Sequence, residues 1–222
     1  MKVIKGITAV FKKDMQAELR SRFALNSVLA FVGAALLLIL FSLNVDQLPP
    51  TPQSGIIWII ILFAALLSLS RSFVAETEKK TFNLLRLHAN ASDVFGGKLL
   101  YNFVFILGVN GTTFALYIFF LGLPVANLLT LILTVVLGTI GLSAISTMLA
   151  AIVSQADRKG AIFSVLSIPL LFPLILILVD ATKAALLEGA VASFWNNFWA
   201  LIGFAGTTIT AGFLLFDYIW ED

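Results

Sequence analysis

One histidine, 12 carboxylates and 14 Lys or Arg are the groups of this 222-residue chain with ionic or acid–base chemistry to offer. His88 is the single histidine, and no cysteine stands anywhere to complete a donor set or form a disulfide. A hydrolase or kinase would need a glycine-rich phosphate loop, a helical HExxH pair, or a nucleophile within reach of a base, and none of these patterns occurs. The chain is therefore expected to be no enzyme. Carboxylates deep in apolar runs would signal proton or ion coupling, because such groups are costly there and kept for function. Asp180 and Asp217 lie only near the ends of such runs, and Arg71 near the end of another. A self-sufficient secondary transporter is disfavoured, and inverted repeats are not evident. Directed work would have to draw its energy from a partner.

The elements that carry these residues are set by hydropathy. With 60% hydrophobic and 12% charged residues and a mean hydropathy of +1.04, the chain is far more apolar than a soluble domain, which runs near ~45–50% apolar. Lipid is the solvent for most of it. A spanning helix needs about 20 apolar residues, and six runs qualify: Ala24–Leu43, Gly55–Phe73, Leu99–Leu121, Ala126–Val153, Ala161–Val179 and Asn197–Tyr218. Short Pro- and Gly-bearing turns separate several of them, such as "GLPVAN" after the third. The expected architecture is a single all-α membrane domain over residues 1–222, with six spans and an amphipathic helix over 1–23.

Basic residues near span ends set orientation. Even span number puts the N-terminus, the 74–98 loop, the 154–160 loop and the C-terminus on one side, and 13 of the 14 basic residues fall there; only Lys183 falls opposite. Both termini are expected in the cytoplasm, with the protein in a bacterial or organellar inner membrane. The first 23 residues are charged throughout and hold no small-residue cleavage site, so no Sec-type signal peptide is expected. A net charge of +2 gives no reason to expect nucleic acid. On the outer side, "SFWNNFW" reads as an aromatic interfacial belt.

Two features of the inner face stand out. Val3, Ile4, Ile7, Val10, Phe11, Met15, Leu19 and Phe23 recur at helical spacing among Lys2, Lys5, Lys12, Lys13 and Arg20, the pattern of a helix lying at the lipid interface or beside a partner. The stretch "RSFVAETEKKTFNLLRLHANASDVFGGK", Arg71 to Lys98, is far longer than a connector needs. Phe82, Leu84, Leu85 and Leu87 among its charges predict a short partner-facing helix. "ANASDVFGGK" reads as a break, with Ser92 or Asp93 capping the helix that follows. Within the spans, Gly138 and Gly141 with Ser143, Ser146 and Thr147 form a small-residue surface for helix packing within a protomer or across a dimer, and Gly203, Gly206 and Gly212 do likewise in the sixth. Pro169 and Pro173 remove two amide donors from the fifth span, as a packing kink or a hinge.

"GIIWIIILFAALLSLSRSF" with the charged segment after it, and "DRKGAIFSVLSIPLLFPLILIL" with Lys159, Gly160, Ile168, Pro169, Leu170 and Pro173, resemble the haem exporter protein B family of cytochrome c maturation permeases. The length and six-span plan match it, and the plan is shared by type 2 ABC exporter permeases. The resemblance implies a permease subunit without its own ATPase site, working as a homodimer with cytoplasmic ABC ATPase subunits that bind ATP and Mg. It also implies a haem-handling membrane protein and a small single-span subunit as partners, and haem as cargo of the complex. ATP hydrolysis would serve haem delivery or release of a haem-loaded periplasmic chaperone. The segment Glu76 to His88 would then be the coupling helix, with Arg71, Glu76, Glu78, Lys79, Lys80 and Arg86 as polar contacts and Phe82 and Leu85 as apolar anchors on the ATPase. His88, alone in an inner loop, is expected at a docking surface and not as a haem ligand; Trp58 is expected to pack or sit at the interface. The alternatives are an ABC exporter for lipid, polysaccharide or drug, and a non-transporting scaffold for haem-handling partners.

Overall fold

The computed structural model describes residues 2–43, 48–69, 89–154, 159–187 and 191–221. Every regular element among them is an α-helix: α1 (Lys2–Ser21), α2 (Phe23–Ser42), α3 (Pro50–Leu69), α4 (Ala91–Leu121), α5 (Leu128–Ser154), α6 (Lys159–Leu186) and α7 (Val191–Glu221). The last six are long and apolar enough to cross a membrane. In lipid the backbone must satisfy its own polar groups, which makes the helix the form such runs adopt.

Several helices outrun the hydropathy that predicts them. The third span is expected from Leu99, yet α4 starts at Ala91 and holds 31 residues. At about 1.5 Å per residue it is ~46 Å long, against a hydrocarbon core of ~30 Å. Hydropathy marks the lipid-deep part of a helix, while the backbone ladder continues wherever tertiary contacts hold it. Ser92 and Asp93 therefore lie inside the first turn of α4. Asn90 takes the N-cap position, without a side-chain cap bond.

The connections are built locally. Arg22 adopts a left-handed conformation (φ 51°) between α1 and α2, and Glu18 Oε1 accepts the Leu25 N–H at 2.9 Å, satisfying one of the orphan donors at the start of α2. Pro50 and Pro52 fall in the first turn of α3, where no amide donor is required. Gly122 (φ 62°) ends α4 in the left-handed region that favours glycine. Asn127 Oδ1 then caps α5 through the Thr130 N–H at 3.0 Å. The amides of Ala126 and Asn127 both donate to Ala185 O, at 3.1 and 2.9 Å, tying this turn to the end of α6.

At the centre stands α5, packed against α4, α6 and α7, with every residue from Gly141 to Ala150 buried. α3 bridges α6 and α2, and α2 is peripheral, burying only Val28, Val32 and Leu36 at one residue per turn. α1 lies across α4.

Candidate functional site

The predicted docking residues Arg71, Glu76, Glu78, Lys79, Lys80, Phe82, Leu85 and Arg86, and His88 beside them, lie outside the described residues. Their frame is described: α3 delivers the chain at Leu69, and α4 takes it up at Ala91. What holds the start of α4 therefore determines where any force on the segment goes.

That start is clamped from two sides. Gly96 and Gly97 let α1 approach so closely that a Cβ on Gly97 would lie 2.6 Å from Val10 Cβ and 2.9 Å from Ile7 O. One on Gly96 would lie 3.1 Å from Ile7 Cδ1. On the α1 side, Gly6 is the matching small residue, against the Asp93 carboxylate. One turn deeper, Lys98 is fully buried and its Nζ meets Asp14 Oδ2 at 3.1 Å. On the opposite flank Phe95 packs edge-on to Phe213 (ring centroids 4.7 Å apart) and lies 5.5 Å from Phe216, in space left open by Gly212. The sequence reads "FGGK" as a break; in the fold it is a helical turn whose glycines admit a neighbouring helix.

Sequence reasoning also missed a polar seam along α4 and α5. Asn102 Nδ2 donates to Thr147 Oγ1 at 2.7 Å, and Asn110 Nδ2 to Thr139 Oγ1 at 2.9 Å. Both asparagines are eight residues apart on α4 and both threonines eight apart on α5 in the opposite sense, so the bonds fix an antiparallel register. Each threonine hydroxyl donates in turn to its own helix, to Ser143 O at 2.6 Å and to Val135 O at 2.7 Å. The carboxamide oxygens of Asn102 and Asn110, and the Tyr117 hydroxyl, are buried without a hydrogen-bond partner. The signal was present as polar residues recurring on one face of an apolar run. The seam sets register and offers no acid or base for proton transfer.

An interhelical hydrogen bond in a membrane averages ~0.6 kcal/mol, whereas an unpartnered buried acceptor costs ~1–3 kcal/mol. Asn110→Leu, which keeps the branch at Cγ, is therefore expected to leave stability unchanged or higher by up to ~2 kcal/mol. Thermal unfolding in detergent checks this; a loss above ~2 kcal/mol would overturn the reading that the unpartnered Oδ1 offsets the bond to Thr139.

The remaining predicted residues divide between buried helix contacts and the exposed surface. A Cβ on Gly138 would sit 2.7 Å from both Leu178 Cδ2 and Trp58 Cη2, and one on Gly141 would sit 2.9 Å from Leu174 Cδ1. Trp58 is fully buried and donates through Nε1 to Thr182 Oγ1 at 2.7 Å. In the sixth span Gly212 accommodates Phe95, whereas Gly203 and Gly206 face outward with nothing within 4 Å. α6 continues through Pro169 and Pro173, whose rings are exposed on the side opposite the buried Leu171, Leu174 and Leu178. At the start of α7, Trp195 and Trp199 are exposed and Phe194 is buried. Among the described residues no three of His, Cys, Asp and Glu gather as metal donors.

Known proteins are similar to this chain in sequence. The family model described as CcmB protein matches residues 5–215, from the clamped helix α1 into α7. Heme exporter protein B of Pseudomonas aeruginosa is 32% identical over 194 residues, covering 83% of this chain and 85% of that protein. A match that takes in the α1 clamp, the polar seam and all six apolar helices makes this multi-pass membrane chain a member of the CcmB protein family.

Proposed function

We propose that this chain is the transmembrane permease subunit of an ABC-type complex for cytochrome c maturation. In it, ATP hydrolysis on a separate cytoplasmic subunit drives haem delivery or release of a haem-loaded periplasmic chaperone. The observation that carries this reading is the likeness to heme exporter protein B over most of both chains. Physical features agree with it: six apolar helices, and a sequence with no nucleotide-binding loop and no mid-span carboxylate to power transport alone.

The working assembly is a homodimer with two ATPase subunits in the inner membrane, both termini in the cytoplasm, joined by a haem-handling membrane protein and a small single-span subunit. The segment Glu76 to His88 docks the ATPase through Phe82 and Leu85, with Arg71, Glu76, Glu78, Lys79, Lys80 and Arg86 around them. Movement entering there reaches Ala91 first. Because α1 and α7 grip Asp93 and Phe95 to Lys98, the three inner helix ends would move as one piece, while Pro169 and Pro173 offer the fifth span a place to bend. Haem is cargo of the complex, and ATP and Mg belong to the partner.

Phe82→Asp with Leu85→Asp is expected to release the ATPase on copurification in mild detergent. An ATPase retained at normal stoichiometry would overturn the docking assignment. Complexes with an inactive ATPase are expected to fail in cytochrome c maturation; continued maturation would favour a scaffold.

A further inference from the structure

We propose that the outward face of α1 is a binding surface for anionic phospholipid headgroups, formed by Lys5, Lys12, Arg20 and Arg22. The sequence alone shows α1 as a mixed-charge helix, with Asp14 and Glu18 among its basic residues. The fold sorts those charges. Gly6, Val10 and Asp14, four apart, face α4, and the Asp14 carboxylate is held there by the buried Lys98 at 3.1 Å. Lys13 approaches the same carboxylate at 3.4 Å. Glu18 is turned to the start of α2, where it accepts the Leu25 N–H. Both acids of α1 are thus spent on internal partners. Lys5, Lys12, Arg20 and Arg22 remain exposed, and the outward face carries charge of one sign.

A cationic face alone would fit an acidic protein equally well. The apolar residues beside it select lipid: Ile4, Leu19 and Phe23 are 66%, 62% and 54% exposed. Lys5, Lys12 and Leu19 follow one another at seven-residue steps, so charge and apolar bulk share one stripe. The headgroup–acyl boundary takes charge and apolar bulk side by side, which is the combination this stripe presents. Depth agrees. α2 begins at Phe23, which places Arg20 and Arg22 within a turn of a membrane span. α1 also lies against the first turns of α4, a helix longer than the hydrocarbon core. Phosphates of the adjacent leaflet lie at that level, within reach of arginine and lysine side chains that extend along the surface.

The test uses the full chain in phosphatidylcholine vesicles, with spin-labelled phosphatidylglycerol or spin-labelled phosphatidylcholine as probe, read by electron paramagnetic resonance. The phosphatidylglycerol label is expected to associate preferentially, and added salt should reduce the preference. The pair Lys5→Gln and Lys12→Gln should lower it by up to roughly fivefold for each lysine neutralised. Lys98→Met, which alters no exposed residue, should lower it as well by leaving Asp14 without its buried partner; Asp14→Leu with Lys98→Met should restore it. Equal association of the two labels, or an unchanged preference in the Lys5→Gln, Lys12→Gln pair, overturns the proposal. The second result combined with loss of a copurifying soluble subunit would assign the face to an acidic protein instead. Both lysines are exposed, so their replacement leaves the packing in place even where Lys98→Met fails to fold. The measurement needs neither ATPase nor haem, so its failure would leave the permease reading standing.

Discussion

Lys98→Met is expected to destabilise the protein by about 3–5 kcal/mol, while Asp14→Leu combined with Lys98→Met returns stability to within ~1 kcal/mol of the parent or above it. The pair is an ionic contact between α1 and α4, with Lys98 fully buried and the Asp14 side chain 12% exposed. Removing the ammonium leaves a carboxylate that water barely reaches, and a lone buried charge loses its solvation without recovering the attraction. Lys13, 3.4 Å from the other carboxylate oxygen, softens the loss without cancelling it, since its own side chain is 44% exposed and its charge is screened. Removing both charges removes the desolvation cost together with the attraction. Asp14→Leu also adds an apolar contact where Ile7 and Val10 already pack. Unfolding of Asp14→Leu, Lys98→Met and the double variant in detergent, each compared with the parent, gives the pairwise term. Equal loss in the single and the double variant would mean that the cost of removing Lys98 does not come from leaving the Asp14 carboxylate unpaired.

Which parts of this arrangement could be read from sequence follows from what each residue type can mean by itself. The apolar runs can mean little other than spanning helices, and the 3.6-residue recurrence of Ile7, Val10 and Phe11 can mean little other than a helix with one apolar side. What that side faces is a tertiary fact. The stripe reads as facing lipid or a partner, yet Ile7 and Val10 meet Gly96 and Gly97. Those glycines read as a break because a glycine marks either a chain reversal or a close approach, and only the neighbour decides between them. Lys98 counts as one more basic residue beside a span whether it is exposed or buried, so a charge tally is blind to its pairing. Asn102 and Asn110 vanish into the average hydropathy of a strongly apolar helix, although two carboxamides eight residues apart are themselves a pattern. The expectation of a docking segment rests only on the excess length of that stretch and its apolar residues among charges, and the stretch lies outside the described residues.

Trp58→Ala is expected to cost about 3–5 kcal/mol, the range for deleting a large, fully buried aromatic side chain. Three contacts converge on this indole: the 2.7 Å hydrogen bond to Thr182, the edge-on ring of Phe114 with centroids 5.8 Å apart, and the backbone of α5 at Gly138. They join α3 to α6, α4 and α5, so the cavity would open where four helices meet and could close only by moving one of them. Trp58→Phe should recover most of the loss, leaving ~1–2 kcal/mol for the missing hydrogen bond and smaller ring. Gly138 provides the sharper check. A Cβ there would lie 2.7 Å from Trp58 Cη2 and 2.7 Å from Leu178 Cδ2, so Gly138→Ala alone should cost ~1–3 kcal/mol through overpacking. A phenyl ring has no atom at the Cη2 position. In the Trp58→Phe background the added methyl group would displace only the flexible end of Leu178 and would fill part of the space the indole vacated. The two substitutions together should therefore cost less than their separate sum by more than ~0.5 kcal/mol, the usual limit for independent sites. Strict additivity would mean that Leu178 alone makes position 138 a glycine, and that the indole is held by Thr182 and Phe114 without help from α5.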